Sequence, residues 1–278
     1  MRVAITGAAG HVGSSIARCF RAGGWEVMAF GRRSVQYAER ISWELGADPQ
    51  KLPWPDVDAF VHCAYDFRSR DWKKNHEINV AGSIDLMRAA RENGVKRVVF
   101  ISTFSAFPGC RSQYGRAKLE IEAAALEMGC EVVRPGLVWA NNSGSLMRSL
   151  ERAARSRFVP LIGDGSYPQY LVFDDDLAQL VLALSQPHAA HIPRAISAAH
   201  PQKHSFRELL QLLARKQHRR PYFIPIPWRL MYAGLRTLEA IGLPAPFRSD
   251  SLIGIVFQNP APEFGLPELP WVTFRPFA

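Results

Sequence analysis

Short apolar runs alternate with longer segments of helical periodicity through the first 135 residues of the chain. Runs of this kind are typical of strands that are buried on both faces of a sheet. They predict strands at residues 2–6, 26–30, 58–63, 95–102 and 131–134, and the periodic segments predict helices at about 12–22, 72–92 and 113–128. Because strand and helix alternate with short links, we predict an α/β fold with a doubly wound parallel sheet.

The regular alternation ends near residue 136. Helices are predicted at residues 145–155, 175–185, 205–215 and 228–241, but proline-containing connections separate them. We therefore expect residues 1–135 to form the core and residues 136–278 to form a smaller, irregular C-terminal region. Within that region, elements at about 160–200 are expected to return and complete the core.

A glycine-rich loop joins the first predicted strand to the first helix. Gly7, Gly10 and Gly13 permit a tight turn, close approach of a pyrophosphate and close packing of helix on strand. The helix that follows offers unpaired N–H groups to an anion. This context predicts a Rossmann-type NAD(P)-binding core; a tight turn without a ligand is the alternative. The residues expected to contact the cofactor here are Gly7, Ala9, Gly10, His11, Val12 and Gly13.

The end of the second predicted strand bears on the choice of dinucleotide. An acid there would bind the ribose 2′-hydroxyl of NAD, but this chain has Arg32 and Arg33 and no acid before Glu39. Paired arginines can bind a 2′-phosphate, so NADP is favoured. NAD remains compatible with the sequence if one arginine stacks on the adenine and the other is solvated.

Tyr114 and Lys118 are four residues apart, so both project from one face of the predicted helix. An ammonium group beside a tyrosine is expected to lower the pKa of the phenol toward neutrality, which suits acid–base catalysis. The helix follows the strand that ends at Ser102 and Thr103, and the carboxyl ends of parallel strands form the ligand crevice. A hydroxyl there could orient a substrate oxygen.

Several motifs occur in an order that resembles the extended short-chain dehydrogenase/reductase superfamily, in its NAD-dependent epimerase/dehydratase family. The resemblance runs from residue 1 to about 185 and includes the glycine loop, the Tyr-x-x-x-Lys pair, and the motifs at residues 61–64, 79–83, 98–103, 134–138, 162–165 and 175–178.

The resemblance implies roles for individual residues. Tyr114 would be the general acid/base, Lys118 its partner and ribose anchor, and Thr103 the catalytic hydroxyl, with Ser102 and Ser105 as rivals for that last role. The residues that would line the cofactor cleft are Ala64, Asn79 and Pro135.

Three functions are compatible with these features. The favoured one is an NADP(H)-preferring oxidoreductase acting on a hydroxyl or carbonyl carbon. A second is an NAD-retaining nucleotide-sugar epimerase or dehydratase, although Arg32 and Arg33 are unlike those enzymes, and Phe173 stands where a histidine is common in the family. A third is a non-catalytic NADP(H)-binding scaffold or redox sensor, although such relatives usually lose the tyrosine–lysine pair.

The net charge of +9 indicates a basic surface or a small anionic substrate, phosphorylated or nucleotide-linked, because no basic cluster forms a nucleic-acid-binding motif. The four cysteines are scattered, so we expect reduced thiols and no metal site. His62 on a buried strand is interpreted as a core residue, and Asp174 to Asp176 as acids at a helix start. With no transmembrane run and no signal peptide, a cytoplasmic location is expected, and the resemblance is compatible with a homodimer.

Overall fold

The computed structural model describes residues 1–36, 38–69, 71–139, 145–264, 266 and 268–277. Its strands are β1 (Arg2–Thr6), β2 (Glu26–Phe30), β3 (Glu39–Ile41), β4 (Ala59–His62), β5 (Arg97–Ile101), β6 (Glu131–Pro135), β7 (Leu137–Trp139), β8 (Phe158–Ile162), β9 (Pro168–Gln169), β10 (Leu171–Phe173), β11 (Ala195–Ala198), β12 (His204–Ser205) and β13 (Tyr222–Ile226). Its α-helices are α1 (His11–Ala22), α2 (Trp72–Asn75), α3 (Gly82–Glu92), α4 (Gln113–Glu127), α5 (Ser145–Ala154), α6 (Asp174–Leu184), α7 (Phe206–Lys216), α8 (Trp228–Ala240) and α9 (Ser249–Val256). Short 3-10 helices span Pro49–Lys51 and Trp54–Asp56.

Among the described residues, seven strands form one parallel sheet in the order β11-β6-β5-β4-β1-β2-β3. Strands β2 and β3 lie on one side of β1, and the chain then crosses over so that β4 lies on the other side. The strand order therefore reverses between β1 and β4, which is where an open α/β sheet forms its ligand crevice. The predicted fold class, an α/β Rossmann-type sheet, is confirmed.

Helices cover both faces of the sheet. On one face, α1 and α6 pack around Ile5, Ile16 and Leu180; on the other, α3 and α4 contribute Leu86 and Ile121 to a second buried cluster. Burial on both faces explains why the strands are apolar at successive positions and do not alternate with polar residues.

Strand β3 was not predicted because its residues carry no apolar pattern. It pairs with β2 at the edge of the sheet, where Glu39 and Arg40 are exposed. An edge position can be occupied by charged residues, so the hydrophobic pattern gives no signal there.

The helix predicted at residues 72–92 is interrupted by a π-helical stretch, His76–Ala81, between α2 and α3. The wider turn holds Asn79 fully buried, directed at the loop that follows β4. Stretches of π-helix are rare and often lie at functional sites.

The C-terminal half both adds elements to the sheet and forms a core of its own. Helix α6 packs against α1, and β11 pairs with β6, with Ile196 opposite Val133. The predicted domain boundary at residue 135 stays a prediction. The separate core lies among α5, α7, α8, α9 and the β8–β13 pair, and includes Leu150, Leu161, Leu209, Leu235 and Leu252. No helix in the described part of the chain has the length and apolar character needed to cross a membrane.

Candidate active site at the carboxyl edge of the sheet

The glycine loop brings three backbone segments into close contact. Gly7 has a φ of +68°, and a Cβ added there would lie 3.0 Å from the backbone nitrogen of Ala64. A Cβ at Gly13 would collide with the carbonyl oxygen of Gly7. Gly10 caps α1 without a side chain, and no acid lies in the first turn of that helix. The positive end of α1 is therefore left open for an anion.

The loop after β4 is fixed by side chains beneath it. Thr6 Oγ1 accepts hydrogen bonds from the backbone N–H groups of Cys63 and Ala64, at 3.2 and 3.3 Å. The Asn79 side-chain amide pairs with the backbone of Asp66, with its oxygen accepting at 2.6 Å and its nitrogen donating at 2.9 Å. Asn79 thus positions this loop, while Ala64 lies directly against Gly7.

His62 is a core residue, as interpreted from the sequence. Its two ring nitrogens bond to the hydroxyls of Thr6 and Ser83, at 2.7 and 2.8 Å, and burial lowers its pKa to about 3. Since the side chain is fully buried and both ring nitrogens bond to protein hydroxyls, His62 is not placed to exchange a proton with a substrate.

Arg32 and Arg33 follow β2 and are both exposed. Arg33 Nη2 donates to the carbonyl oxygen of Ala9 at 3.2 Å, so this side chain lies over the glycine loop. Hydrogen bonds from Arg68 hold the pKa of Asp66 below its usual range, and the charge of Arg32 acts in the same direction. The two arginines therefore lie along the groove between the glycine loop and the loop after β4.

Tyr114 and Lys118 lie in α4, which is capped by the Ser112 hydroxyl accepting from the Gly115 N–H at 3.0 Å. Lys118 is 2% exposed; its Nζ donates to the carbonyl oxygen of Ile101 at 2.8 Å and lies 5.9 Å from the centroid of the Tyr114 ring. Burial lowers the pKa of Lys118 to about 8.

The expectation that Lys118 lowers the pKa of Tyr114 was wrong. Burial raises the pKa of Tyr114 above its ordinary value, and the neighbouring Tyr65 acts in the same direction. The ring of Tyr65 meets that of Tyr114 edge-on at 4.8 Å, and the ring of Phe67 lies at 5.5 Å. Desolvation is the main cause of this rise, and Tyr114 carries its proton at neutral pH.

The three hydroxyls at the end of β5 face different surroundings. Ser102 is buried and donates to the carboxylate of Glu122, which also binds Arg134. Thr103 and Ser105 instead lie on the wall of a cavity, and Thr103 Oγ1 accepts from the Ser105 N–H at 3.2 Å. Of the three candidates, Thr103 and Ser105 face the cavity.

This cavity, of about 810 Å³, lies between the carboxyl edge of the sheet and residues 239–258 of the C-terminal half. Its sheet side includes Tyr114, Thr103 and Pro135, and its opposite side is formed by the segment that joins α8 to α9. A volume of this size is typical of sites for small organic ligands.

Two residues that the sequence analysis missed connect the C-terminal wall to the core. The Asp250 carboxylate accepts from the backbone N–H groups of Gln113 and Tyr114, at 2.7 and 3.0 Å. Arg248 donates to the carbonyl oxygen of Phe67. More than 130 residues separate Asp250 from its partners, so no local pattern announces the contact.

The acids at the start of α6 bind other side chains. Asp174 accepts from the Ser15 hydroxyl and lies 3.5 Å from Arg18 Nη2, and Asp176 accepts from Arg275 Nε at 2.8 Å. Across the described residues, no cluster of three or more His, Cys, Asp or Glu side chains is arranged to hold a metal ion.

Comparison with known proteins agrees with this geometry. The sequence profile of the NAD-dependent epimerase/dehydratase family matches residues 3–199. The chain belongs to this family. Ceramide reductase of Caulobacter vibrioides is 24% identical to it over 236 residues, which cover 81% of this chain and 73% of that protein. UDP-glucose 4-epimerase of Vibrio cholerae is 27% identical over 261 residues, which cover 81% and 78% of the two chains.

A solved structure shows the same fold. The UDP-glucose 4-epimerase of Thermus thermophilus, in complex with NAD, superposes with a TM-score of 0.67 at 21% identity, covering 92% of this chain and 97% of that one. The resemblance stated from the motifs is confirmed, and so is the prediction of an enzyme, because the family's relatives are NAD-dependent epimerases, dehydratases and reductases.

The residues at the start of α1 fit the dinucleotide after which the family is named. His11 Nε2 is buried and has no hydrogen-bond partner among the described residues, which leaves a polar atom for a ligand to satisfy. The backbone around Gly7 and Gly13 leaves no room for a Cβ. The loop therefore presents no side chain at these two positions, and a pyrophosphate can approach the N-terminus of α1.

Proposed function

We propose that this chain is an NADP(H)-dependent oxidoreductase that transfers hydride to or from a hydroxyl or carbonyl carbon of a small molecule. The observation that supports it most directly is the shared cavity wall: Tyr114 and Thr103 face the same space, and Lys118 lies buried one helical turn after Tyr114.

NADPH, when bound, supplies the hydride. We propose that it lies along the groove from the glycine loop to the cavity, with its pyrophosphate at the N-terminus of α1. Lys118 would bind the nicotinamide ribose, and Asn79 would act by holding the loop that carries Ala64. The proposed cofactor-binding residues are Gly7, Ala9, Gly10, His11, Val12, Gly13, Arg32, Arg33, Ala64, Asn79, Lys118 and Pro135.

The preference for NADP over NAD is proposed from charge. Arg33 lies against the glycine loop and Arg32 lies near the loop after β4, so a 2′-phosphate between them would meet two guanidinium groups. Guanidinium groups bind phosphate oxygens in pairs of parallel hydrogen bonds, which gives both affinity and geometric selectivity.

Proton transfer is assigned to Tyr114. The phenol carries a proton at neutral pH, and because burial raises its pKa, its donation to a substrate oxygen requires that the phenolate be stabilised as it forms. Thr103 would orient that oxygen, with Ser105 next to it on the cavity wall. The ammonium of Lys118 would stabilise the phenolate that remains. A protonated phenol is the form that carbonyl reduction requires.

The proposal is tested by following NADPH oxidation at 340 nm with a panel of aldehydes and ketones. Tyr114→Phe should lower kcat by about 100- to 10,000-fold, because the proton donor is lost, while the affinity for NADPH stays within about threefold. Tyr167→Phe removes a phenolic hydroxyl outside the cavity and serves as the matched control.

The other two functions make opposite predictions. Tightly held NAD in the purified protein, together with interconversion of nucleotide sugars, would establish the epimerase function and overturn net reduction. Equal activity of wild type and Tyr114→Phe would remove the catalytic role of the tyrosine and favour a binding scaffold. A homodimer and a cytoplasmic location stay predictions; light scattering in solution tests the first.

A further inference from the structure

The cavity wall carries little charge for a chain with a net charge of +9. Its described lining contains two carboxylates, Glu239 and Asp250, and one guanidinium, Arg248, which leaves one net negative charge. Each already has protein partners. Glu239 accepts from the backbone N–H and the hydroxyl of Ser249, both at 2.8 Å, and Asp250 accepts from two N–H groups of α4.

A nucleoside diphosphate would be poorly matched to this wall. Its phosphates call for cationic side chains, and Arg248 donates to the Phe67 carbonyl oxygen and lies 5.8 Å from that ring's centroid. A diphosphate would also meet two carboxylates of its own sign. Residues 140–144, which lie outside the described part of the chain, contain no charged residue.

Many uncharged polar groups of the wall are also engaged. The Asn75 amide oxygen accepts from Tyr65 at 3.0 Å, and the Ser149 hydroxyl donates to the Pro246 carbonyl oxygen at 2.8 Å. The hydroxyls of Thr103, Ser105 and Tyr114 line the cavity on its sheet side. The carbonyl group of a ligand is therefore expected on that side.

Hydrocarbon side chains also line the cavity, among them Leu137, Leu243, Phe247 and Ile255. Leu243 is 51% exposed and lies at the rim, so apolar surface extends from the interior of the cavity to solvent. An exposed apolar side chain at the mouth of an apolar cavity gains free energy when a hydrocarbon covers it.

We infer that the substrate is an uncharged ketone or aldehyde with a long hydrocarbon body, and that nucleotide sugars are excluded by the charge of the cavity wall. This substrate class rests on the proposed function for its chemistry, but ligand binding tests it independently of turnover.

The reaction balances with the proposed cofactor. The carbonyl carbon gains a hydride from NADPH, the C=O π bond breaks, and the oxygen takes the proton of the Tyr114 hydroxyl; the products are a secondary or primary alcohol and NADP⁺. A proton from solvent then restores the phenol.

Binding is measured by displacement of Nile red, a neutral apolar dye, from the intact protein without added cofactor. In the series 2-heptanone, 2-nonanone, 2-undecanone and 2-tridecanone, Kd should fall by up to about fourfold for each added methylene, as expected when each methylene leaves water. UDP-glucose should not displace the dye. Displacement by UDP-glucose at lower concentration than 2-tridecanone, or a Kd independent of chain length, would overturn the inference.

A pair of exposed positions provides a matched comparison. Leu243→Arg places a cation on the cavity rim and should weaken 2-tridecanone about tenfold, because hydrocarbon would have to displace its hydration. Ile241→Arg, at a residue that is 63% exposed and outside the lining, should stay within about twofold. Equal effects of the two variants would contradict binding at this wall.

The two proposals fail in different ways. Chain-length-dependent binding of ketones without NADPH oxidation by the wild type would leave the substrate class standing and remove the proposed reaction. NADPH oxidation that depends on Tyr114 but is restricted to charged carbonyl compounds would support the proposed reaction and overturn the substrate class.

Discussion

The proposed dinucleotide groove and the cavity beside it are built in opposite ways. One side of the groove is formed by residues 7–33, adjacent in sequence, and its shape depends on backbone positions where no side chain fits. The cavity wall joins the first turn of α4 to residues 239–258, and it depends on side chains from distant segments. The groove ends in two exposed arginines, whereas charged residues on the cavity wall are mostly acidic. The sites proposed for phosphate and for substrate are therefore separated in this molecule.

The most damaging change to the groove is expected at Gly13. Gly13→Ala places a methyl group against the Gly7 carbonyl oxygen, so the loop must move away from α1. Overpacking of this kind costs about 1–3 kcal/mol, and the upper end corresponds to about a 100-fold loss in NADPH affinity, measured by fluorescence titration. Gly31→Ala, where a Cβ meets open space, is the control. Similar losses in both variants would show that the groove does not depend on this close approach.

Lys118 lies where the groove and the cavity meet, and it makes stability depend on pH. Burial lowers its pKa from 10.5 to about 8, so between those values the unfolded chain holds a proton that the folded protein lacks. Unfolding free energy should therefore rise with pH across that window, by about 3 kcal/mol at most, relative to Lys118→Met. Urea unfolding of both proteins at pH 7, 8, 9 and 10 gives the difference; a difference that is flat with pH would mean that the ammonium is not desolvated.

The arginine pair should distinguish the two dinucleotides. In Arg32→Ala/Arg33→Ala, Kd for NADPH should rise about 30-fold and Kd for NADH less than threefold, because only NADPH carries the 2′-phosphate. Arg219→Ala/Arg220→Ala removes the same charge from an exposed pair elsewhere and controls for long-range attraction. Equal weakening of both dinucleotides would overturn the preference for NADP while leaving the groove in place.

Asp250 tests the cavity without touching the groove. Asp250→Ala removes the acceptor for two N–H groups at the start of α4 and should cost about 1–2 kcal/mol in unfolding free energy. Turnover should fall with unchanged NADPH affinity, because the first turn that carries Tyr114 loses its support. Asp175→Ala, at an exposed acid in the first turn of α6, should cost under about 1 kcal/mol. Loss of NADPH binding in Asp250→Ala would show that the groove and the cavity are not independent.

The first half of the fold was predictable because its signals are local. Buried parallel strands leave apolar runs, and the turn at Gly7 requires a residue that tolerates positive φ. The edge strand β3 and the π-helical stretch at His76–Ala81 were missed because local sequence patterns do not mark them. Strand β3 is defined by its pairing with β2, and the π-helical stretch holds Asn79 against the Asp66 loop.

For the proposed catalytic residues, the sequence spacing correctly placed Tyr114 and Lys118 on one helix face, but the pKa shift expected from that spacing had the wrong direction. Proximity to an ammonium can be inferred from spacing, whereas burial by Tyr65 and Phe67 requires that a distant loop be folded over the ring. Likewise, the sequence did not show which of Ser102, Thr103 and Ser105 faces the cavity. Ser102 donates a hydrogen bond to Glu122 and does not line the cavity, whereas the other two do.

The sequence by itself determined the parallel sheet, the glycine loop and the family, because each follows from residues close together in the chain. Tertiary structure alone decided which hydroxyls face the cavity, that Asp250 supports α4, and that the cavity wall is nearly free of positive charge. These properties depend on contacts between residues that are not neighbours in the chain, from the 20 positions between Ser102 and Glu122 to the 137 between Gln113 and Asp250, and such contacts leave no periodicity or spacing in the sequence from which they could be read.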